Sequence, residues 1–148
     1  MSEPQKVYDV FLIDDDACAL DLLEAMLESD DNTKYNVFKY SHTPSALNAI
    51  SAKKPDIVIL DINMPIINGL EICQTLKSDH DTQDIMVILM TAYNSKNVQY
   101  DGLIKYRADS YVAKPFSCAT LLQTIKNIAL LREKKLPNGH NSVISNYI

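Results

Sequence analysis

Four short apolar runs, each of which stops at a polar residue, constrain the fold of this chain more than any other feature. They are Val10–Ile13, Ile57–Leu60, Ile85–Met90 and Tyr111–Ala113, followed directly by Asp14, Asp61, Thr91 and Lys114. Continuous apolar runs of this length, rich in valine and isoleucine, are typical of strands that are buried on both faces. The more alternating stretch Tyr35–Tyr40 predicts a fifth strand at an edge of the sheet.

Stretches with helical periodicity separate these strands. The clearest predicted helices are Ala17–Glu28, Pro44–Ala52, Gly69–Ser78 and a last helix that follows Ser117. Thr43 and Ser117 are predicted N-caps of the second and last helices. Asp16 is expected at the start of the first helix, where an acidic residue interacts favourably with the helix dipole. Ser95–Lys105 predicts only a weak helix, because Gly102 lies in its interior.

The alternation of strands and helices predicts an α/β fold. Five β-α units favour a doubly wound, five-stranded parallel sheet with helices on both faces and right-handed crossovers. In such folds, ligands bind beyond the carboxyl ends of the strands. We therefore expect the strand-end residues to converge on one face of the domain: Asp14, Asp15, Asp61, Thr91 and Lys114.

Three carboxylates gathered in this way would repel one another. At an effective dielectric constant of 20, two unit charges about 4 Å apart interact by about 4 kcal/mol. A hard divalent cation such as Mg²⁺, held by carboxylates, water and substrate phosphate, would offset this repulsion. Lys114 adds a second positive charge, and Thr91 offers a hydroxyl donor. A carboxylate beside such a metal can act as a nucleophile toward phosphorus.

Composition excludes several other classes of protein. The 148 residues, 47% of them hydrophobic, are enough for one ordinary soluble domain. A formal net charge of −5 argues against a dedicated nucleic-acid surface. The N-terminal residues have no apolar signal-peptide core, so we expect a cytoplasmic protein. Cys18, Cys73 and Cys118 form no C-x-x-C motif and are expected to be free thiols.

Four stretches carry a resemblance to a known family. They are FLIDDD (Phe11–Asp16), PDIVILDINMPIINGLEI (Pro55–Ile72), VILMTA (Val87–Ala92) and ADSYVAKPF (Ala108–Phe116). On these motifs the chain resembles the receiver domains of two-component response regulators, from about Val7 to Leu131. The resemblance implies a flavodoxin-like (βα)5 fold with strand order 2-1-3-4-5. It also implies residues 1–6 as an N-terminal extension, 7–131 as the receiver domain and 132–148 as a tail or linker.

The resemblance also implies a role for each acidic residue of the site. Asp61 matches the phosphoacceptor, and Asp14 and Asp15 match the family's acidic pair. Asp15 would bind Mg²⁺, or Mn²⁺ in its place, directly, whereas Asp14 would bind it through water. Asn63 would contribute its backbone carbonyl to the metal.

The remaining matched positions belong to the switch. Thr91 matches the switch hydroxyl, Lys114 the phosphate-binding lysine and Tyr111 the switch aromatic. Pro115 follows a peptide bond that is cis in the family. A phosphoryl group on Asp61 would draw in Thr91, open space for Tyr111 and remodel the surface around the Ser95–Lys105 helix and the last strand.

The implied function is a phosphoacceptor domain of a phosphorelay. Its donor would be a histidine kinase or a phosphotransfer protein, and its output a downstream protein or a fused output domain. A homodimer is compatible with this function, whereas direct binding to nucleic acid or to a membrane is not expected. Such a domain catalyses its own phosphoryl transfer and dephosphorylation but acts as a signalling switch, not as an enzyme.

Two alternatives stand beside this interpretation. One is a small Mg²⁺-dependent phosphatase with an aspartyl nucleophile, which would need a D-x-D pattern after the first strand and a substrate cap. The other is a binding module that keeps the fold without phosphorylation; loss of the acidic pair, the acceptor or the lysine would favour it.

The sequence also departs from the family pattern. Tyr106-Arg107 stands where family members usually have glycine or another small residue, and Lys114 lies 23 positions after Thr91, one more than is common. We further hypothesise that the bulk of Tyr93 slows attack of water on the acyl phosphate, so that Tyr93→Ala would speed autodephosphorylation.

Overall fold

A computed structural model describes residues 5–64, 68–92 and 106–135 of the chain. The elements, in chain order, are β1 (Lys6–Ile13), α1 (Ala17–Glu28), β2 (Thr33–Tyr40), α2 (Thr43–Lys53), β3 (Ile57–Asp61), α3 (Gly69–Ser78), β4 (Met86–Thr91), β5 (Ser110–Ala113) and α4 (Cys118–Lys135). The weak helix expected at Ser95–Lys105, with Gly102, and the hypothesis on Tyr93 lie outside the described residues.

The five strands form one parallel sheet in the order β2-β1-β3-β4-β5, which confirms the predicted fold and strand order. The register brings the carboxyl ends level. Ile13 of β1 pairs with Leu60 of β3, and Asp61 pairs with Met90 of β4. Thr91 pairs with Ala113 of β5. The residues that follow or end these strands therefore share one edge of the sheet.

Both faces of the sheet are covered by helices, as the continuous apolar runs predicted. Every residue of β3 and β4 is buried. Alternate side chains such as Leu12 and Ile59 pack with α1 and α4. Their neighbours, such as Phe11 and Val58, pack with α2 and α3. Burying a side chain of this size contributes about 1.5–3 kcal/mol, so the central strands dominate the stability of the core.

The edge strand and two helix starts agree with the sequence. In β2, exposed and partly buried residues largely alternate, as expected at a sheet edge. Asp16 is the N-cap of α1, and its carboxylate accepts a 3.0 Å hydrogen bond from the amide of Cys18. At α4, the hydroxyl of Ser117 accepts a 3.0 Å hydrogen bond from the amide of Thr120.

The prediction of Thr43 as the N-cap of α2 is wrong. His42 has the extended backbone of an N-cap, and Thr43 is the first residue of the helix. The Thr43 side chain is buried, with its hydroxyl 3.9 Å from the sulfur of Met64. It therefore points into the protein instead of satisfying the free amides of the helix.

The first strand and the last helix extend past the expected domain limits of 7 and 131. β1 begins at Lys6 and α4 continues to Lys135. An ion pair between Lys6 and Glu133 connects the two elements. None of the described helices is long and apolar enough to cross a membrane.

Candidate functional site

Three acidic side chains converge where β1 and β3 end. Asp14, Asp15 and Asp61 each offer a carboxylate oxygen, and these oxygens all lie within 4.8 Å of one another. Asp14 is only 1% exposed and Asp61 only 5%, whereas Asp15 is exposed. Two buried carboxylates and one exposed carboxylate thus face a shared space that solvent reaches from the side of Asp15.

Hydrogen bonds orient the two buried carboxylates. One oxygen of Asp14 accepts a 2.9 Å hydrogen bond from the amide of Asp16, and the other accepts a 3.1 Å hydrogen bond from the ammonium of Lys114. One oxygen of Asp61 accepts a 3.1 Å hydrogen bond from the amide of Asn63. The Lys114 ammonium lies 3.6 Å from the other oxygen of Asp61, so it bridges the two carboxylates.

The electrostatics of the site follow from this arrangement. Burial raises the pKa of Asp61, and the neighbouring charges of Asp14 and Asp15 add to the effect, although the Asn63 amide and Lys114 oppose it. Burial by itself would lower the pKa of Lys114, but its bonds to Asp14 and Asp61 outweigh burial and raise it. Lys114 is therefore protonated at neutral pH.

The donor set fits a hard divalent cation. Three carboxylates and one ammonium leave an excess of negative charge in a partly buried space. Oxygen ligands of this kind suit Mg²⁺, which is commonly held by one or two carboxylates together with water and substrate phosphate. The part of the chain that the structure describes contains no second group of metal-ligating side chains of this kind.

The remaining predicted residues lie around the same edge. Thr91 is buried at the end of β4, and its carbonyl accepts a 2.6 Å hydrogen bond from the amide of Lys114. The peptide bond between Lys114 and Pro115 is cis. Tyr111 is half-buried in β5 and packs on the side of the sheet that α2 and α3 cover. The structure thus brings together the residues that the strand ends predicted.

Gly69 is the supporting residue that sequence reasoning missed. Its amide donates a 3.0 Å hydrogen bond to the carbonyl of Ile62. A Cβ atom at position 69 would lie 2.3 Å from the backbone oxygen of Asp61, so only glycine allows α3 to begin this close to Asp61. Asn68 caps the helix by accepting a 2.7 Å hydrogen bond from Leu70. In the sequence, the Asn68-Gly69 pair reads simply as a loop signal.

Comparisons with known proteins agree with this geometry. Residues 10–126 match the family model described as the response regulator receiver domain. The chain is 32% identical over 138 residues to the response regulator MprA of Mycobacterium leprae. The matched region covers 93% of this chain and 57% of that protein. It is 31% identical over 119 residues to the phosphate regulon transcriptional regulatory protein PhoB of Pseudomonas aeruginosa, covering 80% of this chain and 50% of that protein.

A solved structure supports the same assignment. A crystal structure described as a response regulator from Chloroflexus aurantiacus is 28% identical, with a TM-score of 0.76, and the match covers 83% of this chain and 98% of that one. The chain spans about half the length of the curated relatives it matches. These matches give no support to the aspartyl-nucleophile phosphatase considered from the sequence.

Proposed function

Because the chain belongs to the response regulator receiver domain family and is therefore a signalling switch, we propose that Asp61 is its phosphoacceptor. The observation that supports this role most is the convergence of Asp14, Asp15 and Asp61 within 4.8 Å. The ammonium of Lys114 lies against two of these carboxylates, at 3.1 and 3.6 Å. This combination concentrates groups that can neutralise a transferring phosphoryl group around one carboxylate.

The proposed reaction is transfer from a phosphohistidine. A carboxylate oxygen of Asp61 forms a bond to phosphorus, the phosphorus–nitrogen bond breaks, and the bonding electrons remain on the imidazole nitrogen, which takes up a proton. Asp14, Asp15, Asp61 and the backbone carbonyl of Asn63 would hold Mg²⁺, which when bound neutralises charge on the phosphoryl oxygens. Lys114 supplies a second cation for those oxygens, so positioning and electrostatics provide most of the rate enhancement.

Two further residues carry the proposed switch. Phosphorylation would add about −1.5 to −2 charges and new acceptor oxygens at Asp61. The hydroxyl of Thr91, at the end of the neighbouring strand, would reorient toward them. Tyr111 is only half-buried against the core beneath α2 and α3, so its ring could change its packing in response. The phosphoryl group then biases an equilibrium between two packings of the domain.

The partners follow from this chemistry. The donor is a histidine kinase or a phosphotransfer protein that presents a phosphohistidine. The output is a contact with a downstream protein or with a fused output domain. We assign residues 7–131 to the receiver unit, with residues 1–6 as an extension and 132–148 as a tail or linker, although β1 begins in the extension and α4 ends in the tail. Loss of the phosphoryl group by hydrolysis at the same site resets the switch.

Intact mass spectrometry tests the phosphoacceptor directly. The protein is incubated with Mg²⁺ and acetyl phosphate or phosphoramidate, as wild type and as Asp61→Asn. Wild type should gain one phosphoryl group that is stable in acid and labile in alkali, as expected of an acyl phosphate. Asp61→Asn should gain none.

Asp16→Asn is the matched control for this experiment. Asp16 lies two residues from Asp14 but caps α1, and asparagine is an equally good N-cap. This variant should be phosphorylated like wild type. A wild-type protein that stays unmodified, or a phosphoryl group that persists in Asp61→Asn, would refute the proposed role of Asp61.

A further inference from the structure

The segment that leads into β5 is attached to α3 by three side-chain hydrogen bonds. The Cys73 thiol donates to the carbonyl of Tyr106 at 3.3 Å, and the Arg107 guanidinium donates to the carbonyl of Lys77 at 2.9 Å. The Lys77 ammonium donates to the carboxylate of Asp109 at 2.8 Å. Cys73 and Lys77 are four residues apart and so lie on one face of the helix. We call residues 106–109, with these three bonds, the β5 anchor.

The Lys77 ammonium, which donates to Asp109, is buried, and all three of its hydrogens are used in hydrogen bonds. The Lys77 residue is only 8% exposed. Its ammonium also donates to the carbonyls of Gln83, at 3.1 Å, and Ile85, at 2.7 Å. An ammonium has three hydrogens, so each of them has an acceptor here. Removal of the Asp109 carboxylate would leave a buried charge without its counter-ion, which is strongly unfavourable.

Asp109 also fixes the start of the β4–β5 pairing. Its carboxylate accepts a 2.7 Å hydrogen bond from the amide of Val87, and its own amide donates to the Val87 carbonyl at 2.9 Å. β5 has four residues and pairs with β4. At its other end, the amide of Lys114 bonds to the carbonyl of Thr91 at 2.6 Å. Hydrogen bonds of Asp109 and Lys114 therefore hold the two ends of β5 against β4.

The backbone of Arg107 indicates how firmly this segment is held. Its φ angle is 62°, in the left-handed region that residues with a Cβ atom rarely adopt. Such a conformation persists only where the surrounding contacts over-determine it. The bond from the Arg107 guanidinium to the end of α3 is one of these contacts.

We propose that Asp109, held by Lys77, is a positioning residue for Lys114. This inference rests on the proposed function of Lys114 as the cation for the phosphoryl oxygens. A strand that shifts by one residue turns its side chains to the opposite face, and smaller shifts displace them. The Lys114 ammonium lies 3.1 Å from Asp14 and 3.6 Å from Asp61. Because β5 is short, loss of the bonds that hold its first residues would move this ammonium away from both carboxylates.

The first test is a double-mutant cycle on the phosphorylation rate with phosphoramidate and Mg²⁺. Asp109→Ala should lower the rate about tenfold, because a misplacement of about 1 Å can cost about 100-fold and a smaller shift costs less. Asp109→Asn keeps an oxygen that can accept the hydrogen bond from the Val87 amide, so it should lower the phosphorylation rate about threefold or less. In a Lys114→Ala background, neither change should lower the rate further, because the group that Asp109 positions is already absent.

The second test is amide hydrogen exchange, which needs no phosphorylation. The Lys114 amide should exchange faster in Asp109→Ala than in wild type, and nearer to the wild-type rate in Asp109→Asn. Asp21→Ala removes an exposed ion pair with Lys39 and serves as the control that changes neither readout.

The outcomes separate the two proposals. An equal loss of rate from Asp109→Ala with and without Lys114, or unchanged exchange of the Lys114 amide, would overturn the positioning role. If Asp109→Ala does not fold, Lys77→Met, which removes the cation that holds Asp109, is judged by the same two criteria. If wild type is not phosphorylated at all, the proposed function fails, while hydrogen exchange still decides whether Asp109 holds β5 in place.

Discussion

Lys114 and Asp14 are 100 positions apart in the chain, and the ammonium of one donates a 3.1 Å hydrogen bond to the buried carboxylate of the other. Asp14 follows β1 and Lys114 follows β5, so this bond spans the two strands that lie between them in the sheet. The same ammonium lies 3.6 Å from Asp61. Within the part of the chain that the structure describes, this ammonium offsets the charge of both buried carboxylates.

Lys114→Met should slow phosphorylation by small-molecule donors. The change removes a charged partner of the phosphoryl oxygens, and a hydrogen bond to a charged group contributes about 1.5–3 kcal/mol, or about 10- to 150-fold in rate. Quenched time courses followed by intact mass give the rate. Lys126→Met, on the exposed face of α4, is the control and should react at the wild-type rate. Equal rates for the two variants would exclude an electrostatic role for Lys114.

Asp61→Asn should stabilise the protein in the absence of metal. The folded state raises the pKa of Asp61 above its ordinary value of 3.8, through burial and then its acidic neighbours. The folded form therefore favours the protonated carboxyl, and metal-free stability falls as the pH rises from 3.8 through the folded-state pKa. At pH 7, neutralising this residue should gain on the order of 1 kcal/mol in urea unfolding.

In the presence of Mg²⁺, wild type should instead be more stable than Asp61→Asn. Metal that binds only the folded state at 100 times its Kd stabilises it by about 2.7 kcal/mol. Wild type should gain more from Mg²⁺ than Asp61→Asn, because the variant has lost one charged ligand, and EDTA should remove the gain in both. A variant less stable than wild type in EDTA would contradict the predicted repulsion among the three carboxylates.

Gly69→Ala should destabilise the domain, although alanine ordinarily favours a helix over glycine by about 1 kcal/mol. The added Cβ would lie 2.3 Å from the backbone oxygen of Asp61 and 2.8 Å from the Cα of Ile62, neither of which is a flexible side-chain end. We expect a loss of about 1–3 kcal/mol, the usual effect of overpacking, and slower phosphorylation because the backbone of Asp61 must move. Thermal unfolding and the phosphorylation time course measure the two effects.

Ser78→Ala, at the exposed end of the same helix, is the comparison for Gly69→Ala. It introduces the same residue without the close contact and should leave phosphorylation unchanged. A Gly69→Ala protein as stable and as reactive as Ser78→Ala would mean that α3 does not approach Asp61 this closely.

The Cys73 thiol should make the protein less stable in alkali. Burial raises its pKa from 9.0 to about 12, with a further rise from Asp109 that Lys77 and Arg107 oppose. Between these values the unfolded chain loses the thiol proton and the folded chain keeps it, so stability falls as the pH rises, by up to about 1.4 kcal/mol per pH unit. Urea unfolding at several pH values above 8 should give a shallower decline for Cys73→Ala than for wild type.

Cys18→Ala is the control, because it removes an exposed thiol instead of a buried one. Thiol labelling offers an independent check. In the folded protein Cys18 should react readily, whereas Cys73 should react only after unfolding. Rapid labelling of Cys73 in the native state would contradict its burial.

Much of the fold could be predicted from the sequence because strand burial leaves a local pattern. The runs Ile57–Leu60 and Ile85–Met90 are apolar at every position, and they became central strands covered on both faces. The polar residues that stop these runs had to meet at one edge, since parallel strands end together. Asp16 and Ser117 were likewise recognisable as helix starts, because a cap acts on amides two or three residues away.

Contacts between distant elements decided the rest. The chain itself determined which residues stand at the strand ends and hence the chemistry available to the site. Only the tertiary structure decided that Lys114 bridges Asp14 and Asp61, that Gly69 must lack a side chain, and that Lys77 holds Asp109. Each of these contacts depends on distances that strand register and helix packing set. A local pattern of residues does not predict a distance across the sheet.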